Sequence, residues 1–488
     1  MNQTDDKPKK VFFLGIGGTG MASVAGLAQA SGFDVSGSDG KIYPPMSTML
    51  SELKIPTYSG YSPDNLKKAA PDLVVVANAL SRGNDELEFM LASEMPYTSF
   101  PAFLGSHFLN QKQAVVVTGT HGKTTTTSLL AFILKELGED PSYMIGGIPR
   151  DFPKSFHNGD GKTFVIEGDE YDTAFFDKNS KFLHYNPKFL ILNNLEFDHA
   201  DIFSNLEEIE AQFKRLLDLV ENNDQIIANV DDPGIKKLIK DCGIENEVTA
   251  VSTKGLTQNA DIIVSSFAPI EGMIPLTWKV SFETKQWGNI ALETNLGGEH
   301  NIANLAQILG CISRLAKKGV IKNCTFEQIA AAVAKFQGVQ RRMDHLGNIE
   351  GIDIFEDFAH HPTAVDLVIK SFKKAFPNRT LHVAFEPKNA TSRRNIFSDR
   401  YVEAFSNADH VYLGECPRDK RIADEQKMDT QALADKIGSF AKAFAANEDL
   451  LQDLVSCVQK GDAIIFMSCG SFSGIQHKMA NALKNQSA

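Results

Sequence analysis

The stretch Thr118 to Thr125, TGTHGKTT, is the part of the chain best suited to a chemical task. Gly119 and Gly122 let backbone N–H groups come close to an anion. Lys123 can reach a terminal phosphate, and the Thr124 hydroxyl can bind Mg2+ beside Thr125. The run follows an apolar strand, AVVVTG. It leads into a helix over 124–137, with Leu129, Leu130, Ile133, Leu134 and Leu137 on one face and Gly138 as its stop. The start of that helix adds an attraction for negative charge. The spacing is unusual, because only Thr120 and His121 separate Gly119 from Gly122, fewer than in the common phosphate loop. Successive threonines are poor helix formers, so a nucleotide phosphate site accounts for them better than a plain Thr-rich helix start.

Other strand ends carry polar groups that could serve the same phosphates. TFVIEGDEYD sets Glu167 at a strand end, with Asp169, Glu170 and Asp172 behind it. Mg2+ takes oxygen ligands of this kind, although a solvated acidic turn has the same composition. LILNNLEFDHAD supplies Asn194, Glu196, Asp198, His199 and Asp201. Ligands of open parallel sheets collect beyond the carboxyl ends of strands, so this end could face Lys123; a capped turn with a surface His is the competing reading. Asn301 and Asn304, after His300, share a face at a helix start, suited either to reading a base edge or to capping. Arg341 or Arg342 could pair with a phosphate or carboxylate. Asp357 follows the strand IDIF, then His360 and His361; no third ligand stands at a usual metal spacing, which favours loop contacts. Ser468–Gly474, SCGSFSG, is a second strand–glycine–helix element that is either structural or anion-binding.

A separate glycine turn opens the chain. Gly15, Gly17, Gly18, Thr19 and Gly20 follow the strand VFFLG and open a small-residue helix, with Asp39 at the end of the next strand, 19 residues after Gly20. That layout suits a nucleoside diphosphate, NAD or a UDP-sugar alike; a tight turn without ligand is the alternative.

These groups must be held by parallel sheets. Residues 11–110 alternate strand-like (VFFLG, FDVSGSD, LVVVANA) and helix-like segments. The pattern restarts near residue 111 with AVVVTG, TFVIEG, FLILNN and QIIANVDD, and the apolar–polar alternation of 260–295 predicts a small antiparallel sheet. It restarts again at 338 with IDIFED, LHVAFEP, HVYLGE and AIIFMSCG. The expectation is an α/β protein of three domains, 1–110, 111–337 and 338–488. Its 488 residues agree with that, and 43% hydrophobic with 23% charged residues is ordinary for a soluble globular chain. A net charge of -12 without a dense Lys/Arg block argues against nucleic acid. Six cysteines without a CxxC pair read as reduced thiols of a cytoplasmic protein; the polar start lacks a signal core, and no apolar run is long enough for membrane insertion.

Taken in order, TGTHGKTTT, the acidic cluster 167–170, the 194–199 run, HNIAN at 300–304, RRMD at 341–344 and DFAHHPT at 357–363 resemble the Mur ligases, the ATP-dependent amide-bond-forming enzymes of peptidoglycan synthesis. The short phosphate loop is that family's own form. The resemblance implies a Rossmann-like UDP-sugar domain, a central ATPase and a Rossmann-like third domain. GIGGTGM resembles the branch that takes UDP-N-acetylmuramate, of which one member adds L-alanine and another adds the recycled murein tripeptide L-alanyl-γ-D-glutamyl-meso-diaminopimelate. YPPMST (43–48), SRGN (81–84), GGIPRDF (146–152), DEYDTAFFDK (169–178) and FLILNNLEFDHADIF (189–203) are similar to the peptide-adding member, where the alanine ligase typically reads DESD and DHMD.

The resemblance further implies that Lys123 and Thr124 hold ATP phosphates and Mg2+, that Glu167 ligates that Mg2+, and that His199 lies at a second metal position. It implies Asn301 and Asn304 on the adenine, and Arg342 and Asp357 closing over the nucleotide. Other relatives carry a carbamylated lysine; Lys214, 15 residues after His199, is expected to stay unmodified because the muramate branch commonly lacks it. Gly15–Gly20, Asp39, Asn194 and His360 are expected at the substrates, and Lys388, Arg393 and Arg394 are candidates for gripping the tripeptide, with a solvated basic loop as the competing reading. The readings of other classes are a nicotinamide oxidoreductase built on Gly15–Gly20, which leaves Lys123 unexplained, and a non-catalytic or motor-type nucleotide-binding module.

Overall fold

A computed structural model describes residues 9–417 and 422–487; Met1–Pro8, most of the polar start noted above, lie outside them. Three large sheets follow one another along the described chain. The first is parallel throughout, in spatial order Thr57–Ser59, Asp34–Asp39, Lys10–Leu14, Leu73–Val76, Tyr97–Ser99. Chain order reverses at Lys10–Leu14, and the glycine turn leaves the end of that strand, where an open sheet forms its crevice. Val11 to Leu14 are buried because helices cover both faces of the sheet.

The central sheet has ten strands. Ile262–Pro269, Thr249–Ser252, Ile226–Asn229, Phe189–Leu192, Gln113–Thr118, Thr163–Glu167 and Ser142–Met144 run parallel in that order. The antiparallel strands expected within 260–295 are present as Ile262–Pro269, Trp278–Thr284 and Gly288–Thr294. They extend the edge of the parallel sheet, since Ile262 and Ile263 pair with Val251 and Ser252. Their alternate residues Trp278, Val280 and Phe282 are buried in the core shared with the helix Glu299–Lys317. A short hairpin, Asp172–Ala174 with Asp177–Ser180, projects beyond Glu167.

The third sheet runs Asp344–Ile349, Ile352–Asp357, Ala463–Met467, Leu381–Phe385, His410–Leu413, Ala441–Ala443, antiparallel only at its first pair. One apolar cluster continues from the helix Lys123–Glu136 to Phe355 and Val383 of this unit, and another joins the first unit to the opposite face of the central sheet at Phe164 and Leu190. No helix of the described residues is long and apolar enough to cross a membrane.

Several strands stop short of their apolar-plus-polar runs. FLILNN forms strand only over Phe189–Leu192, and AIIFMSCG only over Ala463–Met467. The residues left over turn out of the sheet and build the site.

Candidate functional site

The three units surround one cavity of about 1130 Å³. Its floor is the phosphate loop. Gly119 and Gly122 take φ of +128° and +84°, a region L-residues avoid, and a Cβ on Gly122 would stand 2.4 Å from Asn304 Oδ1. The loop is tied to the neighbouring strand end: the Thr120 amide donates to the Asn194 carbonyl (3.2 Å), and the His121 amide to Asn194 Oδ1 (2.8 Å). Asn194, expected at a substrate, is thus engaged with the loop itself. The threonines after it are buried inside the helix Lys123–Glu136, and Thr126 Oγ1 accepts from Asn193 Nδ2 at 3.2 Å.

Lys123 donates to the Gly119 carbonyl (2.7 Å) and to Glu170 (3.0 Å). Burial opposes its charge, but Glu170, Asp169 and Glu167 outweigh that and hold its pKa above the ordinary value. Thr124 Oγ1 donates to Glu167 Oε2 (2.9 Å), and the Gly146 amide to Glu167 Oε1. Burial still pushes the Glu167 pKa up, against those two hydrogen bonds and the charges of Lys123 and Arg342.

His199 sits in the left-handed region at φ +54°, its ring tilted 56° to that of Tyr171 with the centroids 4.0 Å apart, with Nε2 3.1 Å from Glu170 Oε1 and Nδ1 buried without a partner. Burial works against its proton, but the Glu170 hydrogen bond and charge raise its pKa. One ligand atom each of Asp169, Glu170 and His199 lies within 4.8 Å of the others, a group able to hold a cation. Lys214 pairs instead with Asp241 at 3.3 Å, more than a third exposed.

Sequence reasoning missed Lys181. It follows the projecting hairpin, donates to Asp169 Oδ2 (2.7 Å), and lies 5.7 Å from the Phe100 ring of the first unit and 5.2 Å from Tyr171. The signal was weak, a lysine in a polar run, and only the hairpin turns it into the cavity.

Asn301 Nδ2 donates to the Gly297 carbonyl (2.8 Å), and Asn304 Nδ2 to Asn301 Oδ1 (3.3 Å); both side chains line the cavity behind Gly122. Burial beside Arg342 takes the neighbouring His300 pKa down to about 4. The structure separates the two arginines. Arg341 is bound to Glu356 (2.7 Å) and to the Ser468 and Gly470 carbonyls, so the SCGSFSG turn anchors an arginine. Both guanidinium groups lie over the Phe358 ring, but of the two only Arg342 faces the cavity, near Asp357. Asp357 accepts the Met343 and Ala359 amides, both at 2.7 Å; burial nonetheless raises its pKa, with Arg342 opposing. His360 lines the same wall, its Nδ1 3.0 Å from the Phe358 carbonyl.

In the first unit, Gly18, Thr19 and Gly20 line the cavity. Gly15 and Gly17 do not: the Gly15 amide donates to the Ser38 carbonyl and the Gly17 amide to Asp39 Oδ2 (2.7 Å). Asp39 also accepts from Gly40 N and Tyr61 Oη, and it faces a second cavity of about 540 Å³. Lys388, Arg393 and Arg394 lie outside the main cavity, with Lys388 near Glu386 at 3.4 Å and Arg393 Nε on the Asn389 carbonyl at 3.3 Å. Thr391 of that loop meets the central unit, its Oγ1 3.4 Å from the Ala200 amide.

A phosphate loop that opens between two Rossmann-like flanking units defines a three-domain nucleotide-dependent enzyme. Residues 10–112 match the family model described as Mur ligase family, catalytic domain; 117–312 match the Mur ligase middle domain, and 341–470 the Mur ligase glutamate ligase domain. The chain is 34% identical to the UDP-N-acetylmuramate–L-alanyl-gamma-D-glutamyl-meso-2,6-diaminoheptandioate ligase of Escherichia coli K12, over 97% of this chain and 98% of that one. It is 30% identical to the UDP-N-acetylmuramate–L-alanine ligase of Chlorobium phaeobacteroides, over 98% of each. The crystal structure of a murein peptide ligase from Psychrobacter arcticus superposes with a TM-score of 0.70 at 33% identity, covering 97% of this chain and 98% of that one. The chain belongs to the Mur ligase family of ATP-dependent, ADP-forming ligases.

Proposed function

We propose that this ligase joins the lactyl carboxylate of UDP-N-acetylmuramate to the free amine of L-alanyl-γ-D-glutamyl-meso-diaminopimelate. In this reading a carboxylate oxygen attacks the γ-phosphorus of ATP, ADP leaves, and an acyl phosphate remains. The peptide nitrogen attacks the acyl carbon, phosphate leaves, the nitrogen gives up its proton, and an amide is left. Residues 1–110 take the sugar nucleotide and 111–337 take ATP; 338–488 take the peptide and close over the nucleotide. The observation that carries the reading is the shared cavity, into which Thr19, Lys123, Thr124, Arg342 and His360 all face, so reactants from three units can meet.

A carboxylate approaching a polyphosphate is opposed by charge, so neutralisation dominates the first step. Lys123, kept charged by its carboxylate neighbours, meets the terminal phosphate. Lys181 faces the first unit and takes the anionic end of the sugar nucleotide. Asn301 and Asn304 contact the adenine. Thr124 and Glu167 fit one Mg2+; Asp169, Glu170 and His199, with its unpartnered Nδ1, fit a second cation. Mg2+ held there offsets phosphate charge and polarises the γ-phosphorus. Lys388, Arg393 and Arg394 are the candidates for the tripeptide carboxylates. With ATP and a nucleotide sugar as substrates the setting is the cytoplasm, without nucleic acid or membrane as partner.

A second reading, with L-alanine as the amine, draws on the likeness to the Chlorobium enzyme. Phosphate release from ATP, Mg2+ and UDP-N-acetylmuramate separates the two. Turnover with the tripeptide alone, yielding the UDP-muramyl tripeptide, is expected. Faster turnover with L-alanine moves the assignment to that substrate, and no turnover with either amine overturns the substrate reading.

A further inference from the structure

A second group of potential ligands stands at the phosphate loop itself, where His121 and Glu196 line the same cavity as Thr124 and Glu167. His121 stands between the loop glycines, Glu196 follows the strand Phe189–Leu192, and His361 caps the helix Pro362–Ala375 of the third unit. One ligand atom of each lies within 4.8 Å of the others. His121 Nε2 is buried and has no hydrogen-bond partner. It faces Glu196 Oε1 at 3.8 Å, too far for a hydrogen bond. The other carboxylate oxygen is occupied, by the Thr363 hydroxyl (2.7 Å) and Arg400 (2.9 Å). The imidazole rings of His121 and His361 are 4.7 Å apart.

Leaving a buried imidazole nitrogen and a carboxylate oxygen facing each other without a bond is costly. An ion with bonds of about 2 Å to each spans a gap of this size. Burial lowers the His361 pKa to about 4, and burial with the nearby His361 lowers that of His121. His361 Nε2 lies 3.3 Å from the Phe197 carbonyl, the kind of contact that orients a ligating imidazole, and Nδ1 accepts the Thr363 amide at 3.3 Å, a helix-capping bond that an ion on Nδ1 would replace. Two imidazoles and one carboxylate suit a borderline ion such as Zn2+ or Co2+, whereas Mg2+ prefers oxygen alone.

We propose that His121, Glu196 and His361 form a site for a Zn2+-class ion, separate from the nucleotide Mg2+ site. Because the ligands come from the phosphate loop and from the third unit, a bound ion fastens the two together and acts as a brake on opening and product release. The inference does not depend on which amine the ligase uses.

The test is a Co2+ titration of the full chain, stripped with chelator and free of nucleotide, followed by visible absorption and by competition with Zn2+. One ion per chain with d–d bands is expected. Its affinity falls at least about tenfold in His361→Gln and Glu196→Gln and holds in His199→Gln, which disables the other cluster. Bands that survive both of the first two variants and vanish in His199→Gln overturn the proposal, as does failure of the native chain to bind either ion at micromolar concentration. Circular dichroism checks each fold. Anomalous scattering at the zinc edge from native crystals decides without a variant: density between the three side chains upholds the site, and density only elsewhere overturns it.

Discussion

The molecule contains two glycine turns that look alike on paper, Gly15–Gly20 and Gly119–Lys123. Both leave a parallel strand and open a helix. The first is closed by its own acid, with Asp39 accepting from Gly17, Gly40 and Tyr61. The second carries a buried cation bound to an acid from another strand end, Lys123 with Glu170. A turn whose charge is satisfied internally can shape itself to a ligand. A turn whose cation is borrowed from a carboxylate can hand that cation to a phosphate. Glycines alone do not make the difference; the lysine and the far carboxylate do.

Four experiments test this contrast. Lys123→Ala should lower kcat for phosphate release by about 10³-fold; a loss under tenfold would mean that the second turn is no more chemical than the first. Gly15 and Gly122 have nearly the same φ, +87° and +84°, and in each a Cβ meets a neighbour, Ala77 Cβ at 2.7 Å or Asn304 Oδ1 at 2.4 Å. Strain of about 1–2 kcal/mol is expected from either Ala variant. Gly122→Ala should raise KM for ATP about tenfold and Gly15→Ala KM for the sugar nucleotide by about the same factor, each sparing the other substrate. Equal damage to both constants would erase the distinction. Lys181→Met should raise KM for the sugar nucleotide about fivefold with ATP binding unchanged and with recovery in Lys181→Arg, a modest loss for one partly shielded charge contact. An ATP effect of the same size would place Lys181 with the second turn.

The smallest effect concerns the two units' buried carboxylates. Glu170 meets Lys123 and His199, but Glu86 of the first unit is buried with only neutral donors, the Ser62 amide (3.1 Å) and Asn65 Nδ2 (3.3 Å). Burial raises its pKa. A raised folded-state pKa favours folding below the ordinary value near 4.5, and that advantage is lost as pH rises through the folded value. Glu86→Gln should therefore raise Tm at pH 7 by on the order of 2 °C, with the gain shrinking toward pH 4.5. A gain that does not vary with pH would rule out the charge as its cause.

Local placement was legible because the candidate groups stand at fixed offsets from strand ends and helix starts. Lys123, Thr124, Glu167, His199 and the Asn301–Asn304 pair all reach the one cavity. Long-range placement was not legible. Adjacent Arg341 and Arg342 differ in their polar partners because the turn before the strand Asp344–Ile349 puts both Arg341 and Met343 at positive φ, which no pattern announces. Lys181 depends on a hairpin of polar residues, and Lys388, Arg393 and Arg394 stand beside the main cavity, a position no sequence pattern gives. Strands of three residues, Thr57–Ser59, Tyr97–Ser99 and Ala441–Ala443, carry too few side chains for a period to show.

Asn194 has a kinetic consequence. Its side chain and carbonyl hold the amides of His121 and Thr120 from a neighbouring strand end, so the phosphate loop is moulded during folding instead of by its guest. Nucleotide capture should then be governed by encounter, slowing in proportion to solvent viscosity, and Asn194→Ala should introduce a slow, viscosity-insensitive settling phase after the first collision.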